Sequence, residues 1–237
     1  MHWISALSTL VTLLFVAAVL QRYRRRGGAH LLWWGMGLAW YGLGTLAEVV
    51  LGLTFNAWVL KLWYLSGAML TAAWLGQGTV FLLIRRGRWA RGSAWVLLAV
   101  SLVAAALVFS APILPAAADF QPALPVSSQY QDILGRSGLM LTLTILLNLY
   151  GTLTLVGGAI YSAYLFWRKQ VLLERMVGNI LIAAGALSPA MGGSLLRAGL
   201  ADWLYVSELL GVVLMFLGFR LAVKSRPAEK AATSASS

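Results

Sequence analysis

Apolar runs of membrane-spanning length recur along the chain, separated by short breaks that carry most of its arginines. A hydrocarbon core about 30 Å thick needs roughly 20 apolar residues per helix. Seven windows meet that length: Trp3 to Leu20, Leu31 to Leu53, Trp58 to Ile84, Ala94 to Ile113, Leu139 to Trp167, Met176 to Leu196 and Trp203 to Val223. Hydrophobic residues make up 60% of the chain and charged ones 11%, which no ordinary soluble domain shows. The pattern predicts an all-α, polytopic membrane protein, with one bundle of seven transmembrane helices over residues 1–224. The polar, proline-interrupted segment 225–237 is expected to be a disordered cytoplasmic tail.

The breaks between runs alternate in charge. Arg22, Arg24, Arg25 and Arg26 follow the first run, and Arg85, Arg86, Arg88 and Arg91 the third. Arg168, Lys169 and Arg175 follow the fifth, and Arg220, Lys224, Arg226 and Lys230 surround the end of the seventh. Four clusters on alternate breaks share one side, and the positive-inside rule makes that side cytoplasmic. The N-terminus is then outside and the C-terminus inside, in the plasma (inner) membrane. The first run has its charge after the apolar stretch, the reverse of a secretory signal, so it reads as a retained span.

A formal net charge of +11 would suggest nucleic acid in a soluble protein. Here it sets orientation, and nucleic acid is discounted. There is no cysteine, and His2 and His30 are expected on opposite sides of the membrane. No metal or haem site, and no cofactor, is therefore expected. HExxH, GxSxG and phosphate-binding glycine loops are absent, and no catalytic constellation marks an enzyme.

Helical spacing indicates which faces avoid lipid. Tyr41, Gly44, Thr45, Glu48 and Gly52 share one stripe of the second span, Ser5, Ser8, Thr9 and Thr12 one of the first, and Asn148, Gly151, Thr152 and Ser162 one of the fifth. Small and polar seams of this kind let membrane helices pack. Gln77, between two glycines, is expected to bridge helices. Pro189 removes a backbone hydrogen bond from the sixth span and is the hinge candidate. The long outer connection, with Pro112, Pro115, Pro122 and Pro125, is expected to cross the bundle's mouth, with a short helix in "SSQYQDILGRSG".

Glu48 is the acid that the membrane should not tolerate unpaired. A rise of about 1.5 Å per residue puts it roughly 9 Å below the outer boundary, with Lys61 at roughly 5 Å and Glu208 at roughly 7 to 8 Å. Lys61 is the expected partner of Glu48. Together with Arg197, Glu208, Tyr64 and Tyr205, the two could line one polar pocket, either a ligand or ion site or a pair of helix clamps.

The block "LLWWGMGLAWYGLGTLAEVVLGLTFNAWVLKLWYLSGAML" resembles the seven-helix N-terminal sensor region of bacterial membrane histidine kinases. That region has an aromatic early in its second helix, a carboxylate late in it, and a basic residue followed by an aromatic opening the third. Trp40, Glu48, Lys61 and Trp63 match. In such kinases cytoplasmic domains follow, whereas this sequence stops shortly after Lys224. The resemblance implies a stand-alone sensor-like or accessory protein with an outer polar pocket, signalling through a separate cytoplasmic or membrane partner. A small transporter or channel, with Asn148, Gln77 and Asn179 along its path, is the alternative, and a structural subunit of a membrane complex is a third.

Overall fold

The computed structural model describes residues 2–84, 88–168, 173–197 and 202–224, and side chains for all of these except residues 2, 189–197, 202–204 and 224. The described chain is almost entirely helical. Helix α1 is His2–Arg26 and α2 is Ala29–Leu51, joined at Gly27 and Gly28, whose φ angles of 64° and 106° turn the chain as a side-chain-bearing residue would not. Then come α3 (Ala57–Trp63), a π-helical segment (Tyr64–Leu70) and α4 (Thr71–Leu83), which form one continuous rod. Beyond them lie α5 (Trp89–Ser110), the short helix α6 (Val126–Ile133), α7 (Gly138–Arg168), α8 (Leu173–Arg197) and α9 (Asp202–Lys224).

Among the described residues, five helices are long and apolar enough to cross a membrane: α1, the α3–α4 rod, α5, α7 and α9. Their outward faces carry Leu10, Leu13, Leu102, Ile145, Leu153 and Leu217 exposed, the surface a lipid-facing helix presents. Helix α2 is long enough but less apolar, because its glycines, tryptophans, Tyr41 and Glu48 dilute its leucines. It is instead well enclosed, with α1, α3 and α4 packed around it.

Neighbour relations close a ring: α1 packs on α2, α2 on α4, α4 on α7, α7 on α8, α8 on α9 and α9 back on α1. Helix α5 stands outside it, against the α3–α4 rod. Glycines set the closest approaches. A Cβ on Gly151 would fall onto the backbone of Ala72, and one on Gly44 would come 3.1 Å from the Gly67 Cα. These contacts bring backbones together where lipid gives no hydrophobic reason for association.

The π-helical segment widens the rod and leaves carbonyls to be satisfied. Thr71 supplies both its N–H and, at 2.8 Å, its hydroxyl to the Ser66 carbonyl. Asn148 reaches across from α7 and donates to the Ala68 carbonyl at 2.7 Å. The inward-facing amide on the fifth apolar run thus fixes the irregular turn of its neighbour.

The inside of the ring changes character with depth. Toward the N-terminal end of α1 it is polar, with Ser5, Thr9, Thr45 and Glu48 buried. About 15 Å further along α1 it is apolar, where Phe15 meets Phe216 and Phe219 at centroid distances of 5.1 and 5.5 Å. Val19, Leu38, Leu75, Leu155 and Met215 complete that layer.

The long connection between α5 and α7 is ordered and contains the expected short helix. Leu114 N–H donates to Ile133 O at 2.8 Å and Gly135 N–H to Pro112 O at 2.9 Å, so the segment closes on itself. The Gln129 side chain ties Gln121 and Leu124 together, and Val126, Ile133 and Leu134 bury into the bundle.

Pro189 lies within α8, which runs from Leu173 to Arg197. Its side chain falls outside those described, and so does that of Arg197. The tail from Ser225 also lies outside the described residues.

Trp33 and Trp34 pack against α4. Trp33 packs on Trp74 at 4.8 Å, and Trp34 donates to the Thr79 hydroxyl at 3.4 Å. Both lie on the side of α2 that meets α4, so packing claims them. Trp89, Trp95 and Trp167 do project outward.

Candidate functional site

Glu48 sits on the α2 stripe that begins at Tyr41, where steps of four and three residues keep side chains on one face. It is 4% exposed. A buried carboxyl has to be hydrogen-bonded or carry a proton, and two different helices supply the bonds. From α3 the Trp63 indole N–H donates to Oε1 at 3.0 Å. From α1 the Ser5 hydroxyl donates to Oε2 at 3.4 Å. One turn away the Thr9 hydroxyl donates to Thr45 Oγ1 at 2.9 Å, extending the α1–α2 seam.

Helix α9 completes the site. The Glu208 side chain approaches Glu48 closely enough for the two acids to interact electrostatically. A carboxylate has only acceptors, so any hydrogen bond between the two carboxyls would require a proton on one of them. Tyr41 donates its hydroxyl to the Glu208 backbone carbonyl at 2.9 Å, which fixes the α9 backbone against α2. Tyr205, one turn earlier on α9, is buried close to both acids. Among the described side chains, which do not include that of Arg197, no cation lies against either carboxyl.

Lys61 does not meet Glu48, which corrects the expected ion pair. Its ammonium donates to the Phe109 carbonyl at 2.9 Å and stands 5.6 Å from the centre of the Trp58 ring. The reason is angular. Residues two apart on a helix point in nearly opposite directions, so Trp63 and Lys61 cannot both face α2. Trp63 takes the acid, and Lys61 turns to the C-terminal end of α5, where unpaired carbonyls and the helix dipole favour a cation.

Tyr64 also lies apart from the acids. Its hydroxyl pairs with Thr144 Oγ1 at 3.0 Å, and its ring packs against Tyr130 at 5.6 Å. Tyr130 of α6 contacts Trp63 as well, at 5.2 Å, and the Arg136 guanidinium lies 5.0 Å from the centre of the Tyr130 ring. A chain of contacts therefore leads from the α5–α7 connection to the acid: Arg136, Tyr130, Trp63, Glu48. Of the residues grouped by depth in the sequence, Glu48, Glu208 and Tyr205 come together, whereas Lys61 and Tyr64 do not.

Ser5, Tyr41 and Trp63 are the site residues that depth alone could not assign. Each had a signal in the sequence: Ser5 and Tyr41 lie on polar stripes, and Trp63 is the aromatic of the "KLW" motif.

The amides along the alternative path are each engaged locally. Gln77 donates to Ala90 O at 3.0 Å and to Ser93 Oγ at 3.1 Å and accepts from the Tyr150 hydroxyl, so it bridges α4, α5 and α7. Asn148 serves the π-helical segment, and Asn179 donates to Arg175 O within its own helix at 3.0 Å.

Comparison of the chain with protein-family models, curated proteins and solved structures gives no match.

Proposed function

We propose that this protein is a sensor-like or accessory integral membrane protein whose input is a proton taken up and released at the Glu48–Glu208 carboxyl pair. The observation that carries the reading is the closeness of two acids, from α2 and α9, with hydrogen-bond donors on Glu48 and no cation among the described side chains. A proton shared between two neighbouring acids suits such a pair. Its loss sets two like charges against each other in a low-dielectric interior, which drives α2 and α9 apart. Tyr41 and Tyr205 are the other titratable groups facing the pair.

The chain spans the plasma (inner) membrane seven times in this reading, with the N-terminus outside, so the pair lies in the outer half and the arginine-rich breaks face the cytoplasm. Movement of α9 against its neighbours passes to a separate membrane or cytoplasmic protein through those basic loops. The apolar layer of Phe15, Leu38, Leu75, Leu155, Met215 and Phe219 supports signalling over conduction, since it interrupts any polar path below the acids.

Infrared difference spectra of reconstituted protein taken across a pH step test the reading. A protonated-carboxyl stretch should change with pH and vanish in both Glu48→Gln and Glu208→Gln, each variant remaining folded. A spectrum without such a band, or one unchanged in the variants, makes the pair a structural clamp.

A further inference from the structure

Helix α5 leans on the α3–α4 rod but scarcely touches α7, and a groove of about 730 Å³ opens between them. Its volume is that of a small-molecule site, roughly 300–1,000 Å³. One wall is Val96 and Leu97 of α5, the other Leu146 and Leu147 of α7, and the mouth opens sideways between the exposed Val96 and Leu146. Arg88 and Trp89 stand at one end.

We propose that this groove binds an anionic phospholipid, with its phosphate at Arg88 and an acyl chain laid along the α5–α7 walls. Charge complementarity picks the occupant. The groove is apolar along its length and cationic at one end, with exposed Arg91 one helical turn beyond Arg88. Basic sites between membrane helices, close to the cytoplasmic arginines, attract anionic headgroups. From Arg88 to Val100 α5 rises about 18 Å, close to one leaflet's half of a hydrocarbon core about 30 Å thick. Trp89 is exposed at the depth where indoles meet headgroups.

The polar groups at the groove's edge are already engaged, which favours an amphiphile over a polar ligand. Tyr150 donates to Gln77, and Ser93 accepts from Gln77 while donating to Ala90 O at 3.1 Å. This same network pins the first turn of α5 to α4, so the gap to α7 is braced open.

The test is native mass spectrometry of the full chain taken from bilayers holding equal phosphatidylglycerol and phosphatidylethanolamine. Phosphatidylglycerol should be retained preferentially. Arg88→Ala should lower that preference on the order of fivefold, the loss of one basic contact near the surface. Val96→Trp, at an exposed position, should fill the groove and abolish retention without unfolding the protein. Equal retention of both lipids, undiminished retention in Val96→Trp, or a second protein chain retained in the lipid's place overturns the proposal.

Discussion

The indole N–H of Trp63 donates to Glu48 at 3.0 Å, while Lys61, two residues away on the same helix, donates to Phe109 on the opposite side at 2.9 Å. One turn of α3 thus grips two different helices. Trp63→Phe keeps an aromatic ring for Tyr130 to pack on and removes the donor together with part of the indole's volume. It should cost about 1–3 kcal/mol, the range for leaving a buried acceptor short of a partner, read as a lower unfolding midpoint in detergent. An unchanged midpoint shows that the bond to Glu48 carries no weight.

Lys61→Met separates the two grips. The lysine satisfies an α5 terminus, worth about 0.3–1 kcal/mol at an accessible helix end, and shares no partner with the acid. Its effect and that of Glu48→Gln should add to within about 0.3–0.5 kcal/mol. A larger coupling energy in the double-mutant cycle restores the ion pair that depth suggested.

Asn148→Leu should loosen the rod at its π-helical segment. The Ala68 carbonyl loses its partner from α7, and bonds between membrane helices of this kind contribute about 0.6 kcal/mol on average and at most about 1.7. Hydrogen exchange should accelerate over residues 66–72 and stay unchanged in α9. Acceleration spread evenly over the chain means that Asn148 holds the whole bundle rather than one turn.

The long helices and their polar seams were legible because periodicity and run length are local properties of a sequence. Ser5, Thr9, Thr45 and Glu48 lie where the stripes put them, buried between α1 and α2. Glu208 and Tyr205 joined Glu48 because matching depth brings distant segments to one level. Depth fixes only one coordinate, however. It put Lys61 and Glu48 at similar heights but carried no azimuth, and a step of two residues turned the lysine away. The position of α5 outside the ring was equally invisible, since short connections say which helices are adjacent but not which of them is left at the edge. The π-helical turn had no sequence mark except the polar groups, Thr71 and Asn148, that repair it.

Two glycines of α7 give a matched pair for testing the α4–α7 contact. A Cβ on Gly151 falls onto the Ala72 backbone, which has no flexible end to yield, whereas Gly157 faces outward with nothing within 4 Å. Gly151→Ala therefore has to push α7 away from α4 and should cost about 1–3 kcal/mol, the usual range for overpacking. Gly157→Ala removes a flexible residue from a helix interior without a clash, and should be neutral or stabilise by about 0.5–1 kcal/mol. The two share a helix and a chemical change, so helix propensity cancels between them and the difference in thermal midpoint reports contact alone. Equal midpoints for both variants show that α4 and α7 do not meet through Gly151.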